Sequence, residues 1–295
     1  MPIKKIGVIG VGSMGGAIVE RLLSLDYNVM VWDIDRFKMM KYAELGAMAA
    51  QSAAHLTALN EVVLASLPSP RSVLETFLSE EFVASLKSGS TIIDLSTVDP
   101  ITSRKVYTRL RDFGASYLDA PVSGGPRRAA VGKLTIMVGG DEDVFRRYEH
   151  LLKQLGEKVF YVGGSGAGST LKLINQLLVF AHIYATMEAL VLSKSLGVEY
   201  SKLYEVIKSS SGNSFMFEEI VKLILSGKVW GGRAELLIKD IKLAHEMAKR
   251  ADIKLLLCDF LREIAEKMET MGYGVNDAVT DFTSYVQYIA STRRN

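Results

Sequence analysis

The sequence predicts an α/β chain in two parts, a doubly wound parallel sheet followed by an all-helical domain. Two observations carry this reading. Up to residue 162, short apolar runs rich in β-branched residues alternate with helix-like stretches, and such alternation implies parallel pairing with helices on both faces. At Gly163 the pattern changes. Gly163-Gly164-Ser165-Gly166-Ala167-Gly168 is dense in glycine, and beyond it the chain contains no proline and reads as helix to about Arg294. The expected division is residues 1–162 and residues 163–295.

Each element has a local reason. The strands are expected at Lys5–Ile9, Asn28–Trp32, Val62–Leu67, Thr91–Leu95, Tyr117–Asp119, Thr135–Val138 and Val159–Val162, where β-branched residues suit a buried sheet. Ser69-Pro70 and Asp99-Pro100 each offer an N-cap followed by proline at the first helical position. Asp141 precedes an amphipathic stretch in which Val144, Tyr148, Leu151, Leu152 and Leu155 share a face.

Composition narrows the functional classes. The chain has 295 residues, 48% hydrophobic and 23% charged, which suits a globular protein with a large core rather than a disordered one. Its 35 basic and 33 acidic residues leave a net charge of +2, so no overall drive toward nucleic acid or an anionic membrane is expected. The lone cysteine, Cys258, rules out an intramolecular disulfide and fits a reducing compartment such as the cytoplasm. Four scattered histidines and no CxxC or HExxH argue against a histidine- or thiolate-rich metal site. Lys4 and Lys5 before Ile6–Val19 superficially resemble a signal peptide, but five glycines break the run and no cleavage site precedes Glu20. Leu173–Ser193 is long and apolar. It carries Asn175, Gln176, His182 and Glu188, so a buried or interface helix is expected rather than a membrane span.

The first chemical motif follows the first strand. Gly10-Val11-Gly12-Ser13-Met14-Gly15 is a G-x-G-x-x-G. The first glycine permits the tight turn, the second lets the backbone approach a pyrophosphate, and the third lets the helix lie close to the strand. The helix start then offers N–H groups to phosphate. The next strand ends at Asp33, the place of an acidic residue that accepts the adenosine ribose hydroxyls. The combination predicts a Rossmann-type dinucleotide-binding domain. Asp33 repels a 2′-phosphate and favours NAD, whereas Arg36 is placed to clamp that phosphate and would admit NADP.

Five ordered segments, spread over nearly the whole chain, resemble the β-hydroxyacid dehydrogenase family, the 3-hydroxyisobutyrate dehydrogenase-like enzymes. They are Gly10–Gly15, Leu67-Pro68, Asp94-Leu95-Ser96-Thr97, Asp119-Ala120-Pro121-Val122-Ser123-Gly124-Gly125, and Gly163–Gly168 running into Lys172-Leu173-Ile174-Asn175. Lys239-Asp240 is a sixth. The resemblance implies hydride transfer between the 3-hydroxyl carbon of a small hydroxy acid and a nicotinamide. It also implies a long helix joining the domains and a homodimer or homotetramer. By the same resemblance Leu67 and Pro68 border the cofactor's ribose, Thr97 meets its nicotinamide end, and Lys239 reaches it from the helical domain.

The chemistry asks for a base to take the hydroxyl proton. Lys172 is the candidate. An unperturbed lysine titrates near about 10.4, so such a base needs desolvation or neighbouring positive charge, including a helix start if Thr170 lies in the first turn. Asn175, at i+3, projects from the same helix face and is expected to hydrogen-bond the substrate. Ser123, Gly124 and Gly125 are expected to hold the substrate carboxylate through the serine hydroxyl and a nest of N–H groups. Arg127 and Arg128, just after, are given no role.

Two positions depart from the family. A second asparagine often follows the first, and here it is Gln176; an aromatic residue usually stands seven positions before the lysine of the Lys-Asp pair, and here it is Gly232, beside Trp230 and Arg233. Either Trp230 replaces the aromatic wall, or the site is larger and more polar with Arg233 meeting a carboxylate. The expected function is an NAD(P)-dependent dehydrogenase of 3-hydroxyisobutyrate, L-serine or a close analogue. The alternatives are an NADPH-dependent reductase of glyoxylate, succinic semialdehyde or tartronate semialdehyde, and a non-catalytic dinucleotide-binding scaffold. Imine reductases share the architecture but generally lack a lysine at the catalytic position. No metal, nucleic acid or membrane partner is expected.

Overall fold

A computed structural model of the chain describes residues 5–292. By contact the chain divides into two compact units, Met1–Leu173 and Ile174–Asn295. In the first, strands β1 (Lys5–Ile9), β2 (Asn28–Trp32), β3 (Met48–Ala49), β4 (Val62–Ala65), β5 (Thr91–Asp94), β6 (Ser116–Asp119), β7 (Val122–Ser123), β8 (Leu134–Gly139) and β9 (Gly156–Gly163) form one sheet. Its helices are α1 (Ser13–Leu23), α2 (Arg36–Glu44), α3 (Ala53–Leu59), α4 (Pro70–Phe77), α5 (Glu80–Ser85), α6 (Pro100–Arg111), α7 (Gly125–Ala130) and α8 (Glu142–Leu155). Helix α9 (Ala167–Ser195) runs through the division between units, and α10 (Tyr200–Lys208), α11 (Phe215–Ser226), α12 (Ala234–Arg250), α13 (Leu256–Thr270) and α14 (Ala278–Ser291) follow it.

The sheet order is β3-β2-β1-β4-β5-β6-β8-β7, with β9 also on β8; β1 through β6 pair in parallel, while β8 runs antiparallel to β6 and β7. Both faces are covered, and the strand pleat explains how. Ile6 and Val8 of β1, with Val62 and Leu64 of β4, pack in one apolar cluster with Ile18 and Leu22 of α1 and Tyr148 and Leu152 of α8. Ile9, Val63, Ala65 and Ile92 face the other way, with Leu56, Phe77 and Leu110. Gly7 occupies the place where any side chain would strike Leu56. The two-sided burial is why these strands read as continuous apolar runs.

The helix starts follow the sequence, with one exception. Ser69 Oγ accepts the Ser72 amide at 3.1 Å, and Asp99 accepts those of Ile101 and Thr102 at 3.1 Å each. Asp141 stands at the N-cap of α8 but makes no side-chain cap; its carboxylate takes the Tyr107 hydroxyl at 2.8 Å.

The second unit is helical. Phe180 of α9 meets Phe282 of α14 edge-on at 5.1 Å, and Ile220, Ile241, Leu261 and Ile264 of this unit are buried. Asp281, 2% exposed, accepts the amides of Gly274 at 2.6 Å and Asn276 at 3.1 Å and so shapes the loop before α14. That loop is bonded to the stretch before α12, where Gly232 O accepts the Ala278 amide at 2.8 Å. Among the described residues α9 alone is long and apolar enough to cross a membrane. It nevertheless carries buried Ser169, Lys172 and Gln176, and its first turn is bonded into the sheet.

Candidate active site

The strand order reverses between β1 and β4, the point where the carboxyl ends of such a sheet open into a ligand crevice. The glycine loop stands there. Gly10 leaves β1 with φ +83° and donates its N–H to Trp32 O at 2.8 Å. A methyl on Gly10 would overlap the Ser66 carbonyl oxygen, and one on Gly15 would overlap that of Gly10, so both glycines are fixed by close backbone approach. Gly12 differs: a Cβ there would meet nothing within 4 Å. It is the N-cap of α1, and no side chain caps the helix. The first N–H groups of α1, on Ser13, Met14 and Gly15, have no intrahelical acceptor. The loop therefore presents donors, a positive helix end and clearance at Gly12, which fits a dinucleotide pyrophosphate.

Asp33 is tied to this loop. Its Oδ2 accepts the Val11 amide at 2.8 Å and its Oδ1 accepts the Asp35 amide at 2.9 Å, and it is 9% exposed. Arg36 is the first residue of α2 and is exposed.

The neighbouring strand ends add further groups. Leu67 and Pro68 follow β4, and the Leu67 amide donates to Ser96 Oγ at 2.8 Å. The Ser96 amide in turn donates to Asp94 Oδ1 at 2.9 Å, and the Tyr117 hydroxyl donates to Asp94 Oδ2 at 2.8 Å. Asp94 and Ser96 thus hold the β4 and β5 ends in register just before Thr97. Pro121, which has no N–H, separates β6 from β7 and lets the chain turn toward Ser123. Gly124 and Gly125 follow with φ of +129° and +73°, conformations that L side chains rarely adopt. Arg128 turns to Glu157 at 3.4 Å and to Lys133 O at 2.9 Å.

Asp119, at the end of β6, is the group to which sequence reasoning assigned no role. Its carboxylate accepts the Gly166 amide at 2.8 Å and the Ser169 amide at 2.9 Å, and so seats the first turn of α9 on the sheet. Ser169 Oγ also bonds Ser103 Oγ at 2.8 Å. A Cβ on Gly168 would overlap the Asp119 carbonyl oxygen, and one on Gly139 would come within 2.8 Å of its Oδ1, so two glycines clear the space. Burial pushes the Asp119 carboxyl up to about 6, although the two amides pull the other way. The signal was present as an acidic residue closing an apolar strand, with glycines far along the chain, but nothing in sequence links them.

Lys172 is the sixth residue of α9 and is 6% exposed. Thr170 does lie in the first turn, but Lys172 lies beyond it, and the Asp119 carboxylate sits on the helix start. The helix end is a smaller influence on Lys172 than the sequence suggested, because the dipole effect falls off within one turn and is here met by a buried acid. In the second unit, Gln176 Nε2 donates to Asp240 Oδ2 at 2.6 Å, Asn175 Nδ2 donates to Gln176 Oε1 at 3.1 Å, and Lys239 Nζ pairs with Asp240 Oδ1 at 3.0 Å. Asn175 and Lys239 are therefore joined through two buried residues. Arg233 is exposed and paired with Glu235 in the first turn of α12.

The chain is similar to known proteins over nearly its whole length. The family described as the NAD binding domain of 6-phosphogluconate dehydrogenase matches residues 5–163, and that described as NAD-binding of NADP-dependent 3-hydroxyisobutyrate dehydrogenase matches residues 166–288. The 2-(hydroxymethyl)glutarate dehydrogenase of Eubacterium barkeri is 34% identical over 277 residues, covering 92% of each chain. The NAD-dependent L-serine dehydrogenase of Pseudomonas aeruginosa is 30% identical over 93% of this chain and 95% of its own. The crystal structure of 3-hydroxyisobutyrate dehydrogenase from Salmonella typhimurium superposes with a TM-score of 0.86 at 27% identity, covering 96% of this chain and 99% of that one.

Proposed function

The chain belongs to the β-hydroxyacid dehydrogenase family as an NAD(P)-dependent oxidoreductase of hydroxy acids, and we propose that it oxidises the 3-hydroxyl of a small hydroxy acid, with Lys172 as general base. 3-Hydroxyisobutyrate and L-serine are the leading substrates, in keeping with the relatives that act on them. The observation that carries the reading is the seat of Lys172. It is a buried amine on a helix whose first turn is bonded, through Asp119, to the strand edge that also bears the glycine loop and Ser123-Gly124-Gly125.

In this reading the Ser123 hydroxyl and the amides of Gly124 and Gly125 hold the substrate carboxylate. Lys172 removes the hydroxyl proton, and Asn175, three residues on, bonds the same substrate. Gly10–Gly15, Asp33, Leu67, Pro68, Thr97 and Lys239 hold the cofactor. Bound NAD(P) supplies the carbon that accepts the hydride. The Asp33 carboxylate, next to Asp35, favours NAD over NADP, because it repels a 2′-phosphate. In the reverse direction the ammonium form of Lys172 returns the proton, and the substrate is then a small aldehyde acid such as glyoxylate or a semialdehyde.

The same proposal assigns dinucleotide binding to residues 1–162 and the helical half, residues 163–295, to substrate and subunit contacts. Leu171, Ile174 and Leu178 make an exposed apolar stripe on α9, which supports a homodimer or homotetramer. A single cysteine, Cys258, leaves no intramolecular disulfide to form and suits a reducing compartment such as the cytoplasm.

The test is NADH absorbance over a panel of small hydroxy acids, for wild type and Lys172→Ala. The base role predicts a kcat lower by about 10²–10⁴-fold with NADH binding retained. An undiminished kcat removes the assignment, and NADH binding without turnover of any hydroxy acid by the wild type favours the scaffold reading.

A further inference from the structure

Gln176, the departure from the family's second asparagine, is the centre of the hydrogen-bonded run Asn175–Gln176–Asp240. Gln176 is 6% exposed and Asp240 5%. The direction of the run follows from donor and acceptor chemistry alone. A carboxylate oxygen accepts, so the Gln176 side chain turns its NH₂ to Asp240, as the 2.6 Å contact has it. Its carbonyl oxygen then faces Asn175 and requires a donor. Asn175 supplies its own NH₂, at 3.1 Å, and its carbonyl oxygen is turned away from Gln176. Lys239 Nζ lies 3.0 Å from the other Asp240 oxygen, Oδ1.

We propose that Gln176 is a positioning residue that relays the polarity of Asp240 to Asn175, so that Asn175 meets the substrate with its carbonyl oxygen and accepts from a hydroxyl rather than donating to a carboxylate. The inference rests on the reading of Asn175 as a substrate contact. It separates two tasks: the substrate carboxylate belongs to Ser123-Gly124-Gly125, and the hydroxyl end belongs to α9. An asparagine at 176 would be shorter by one methylene and would not span the same gap to Asp240 without movement of α12. The longer side chain bonds the two helices here.

Four variants decide the matter, each assayed for kcat, KM of the hydroxy acid and NADH affinity. Gln176→Leu keeps the volume and removes the relay. Its kcat should fall by about 10- to 100-fold, with NADH affinity within twofold of wild type, because orientation and not cofactor binding is lost. Gln176→Glu alone sets two carboxylates against each other and should fall at least as far. Combining Gln176→Glu with Asp240→Asn restores a carboxylate that accepts from Asn175 and a donor opposite it. The pair should recover kcat to within about fivefold of wild type, a rescue that a purely structural role would not give. A Gln176→Leu enzyme with kcat within twofold of wild type overturns the proposal, and so does a double variant no better than Gln176→Glu. Asn175→Leu tells the two readings apart. If it leaves kcat and KM unchanged, Asn175 is no substrate contact and both fall; if it is impaired while Gln176→Leu is not, only the relay falls.

Discussion

Asp119 holds the amide of Ser169 at 2.9 Å across fifty residues of chain. With Gly166 on its other oxygen, one buried carboxylate sets where α9 begins and therefore how far along the helix Lys172 stands. A helix entered through a glycine-rich run has no stiffness of its own at that point, so its direction has to come from tertiary bonds. Asp119→Ala would leave two buried N–H groups without acceptors, at about 1–3 kcal/mol each, and should lower both stability and kcat. Denaturant unfolding and NADH absorbance measure the two effects, and an unchanged kcat in a destabilised enzyme would separate the seat of α9 from catalysis.

The same carboxyl makes stability depend on pH. Its folded value, about 6, is above the ordinary 3.8, chiefly through desolvation. A raised folded value means that the folded chain holds the proton more tightly than the unfolded chain. The contribution of Asp119 is then fully present below about 3.8 and is lost as pH rises through about 6. Relative to Asp119→Asn, which does not titrate, the wild type should gain on the order of 3 kcal/mol between pH 7 and pH 4. Denaturation midpoints of both proteins at several pH values check this, and a difference that stays constant contradicts the buried, raised carboxyl.

The two glycines of the phosphate loop predict opposite outcomes. Gly12 has φ −66° and open space where a Cβ would stand, so Gly12→Ala should fold with equal or slightly greater stability, by up to about 1 kcal/mol. If the clearance takes the pyrophosphate as proposed, the methyl fills it, and NADH affinity should drop by about tenfold or more. Gly15→Ala instead drives a methyl into the Gly10 carbonyl and should cost about 1–3 kcal/mol of stability as well as binding. Thermal melts with and without NADH distinguish the pair.

Which parts of this were legible depended on sequence distance. The glycine loop, Asp33, and the caps at Ser69 and Asp99 are local patterns with one physical solution each, and the structure has them where the sequence puts them. Strands β3 and β7 have two residues apiece and carry no periodicity to read. Asp119 and Asp240 were visible only as members of motifs, because their partners lie 47 to 64 residues away in sequence. Asp141 looked like an N-cap, and a tyrosine from α6 claimed its carboxylate instead. Such competition is settled by packing, which no window of sequence contains.

The Ser123 hydroxyl is assigned to the substrate and not to the cofactor, which gives a clean kinetic expectation. Ser123→Ala should raise KM of the hydroxy acid by about 10-fold, the worth of one hydrogen bond to a charged group, while KM for NAD stays within twofold. Gly124→Ala, at φ +129°, adds backbone strain of about 1–2 kcal/mol and should lower stability as well. A Ser123→Ala enzyme whose cofactor KM moves and whose substrate KM does not would place the loop on the other ligand.

In the proposed reading cofactor preference turns on Asp33. Both carboxylate oxygens already accept backbone amides, from Val11 and Asp35, so the side chain is held in place by the loop itself. Asp33→Asn keeps the size and removes the charge, and a carboxamide offers one acceptor oxygen where two amides need one each. One loop bond is lost, and kcat/KM with NAD should fall by about tenfold. The repulsion toward a 2′-phosphate disappears at the same time, and exposed Arg36 is three residues away, so the NADP-to-NAD ratio of kcat/KM should rise by about tenfold or more. Steady-state rates with both cofactors decide it. A ratio that does not move would mean that the preference is set elsewhere than at the end of β2.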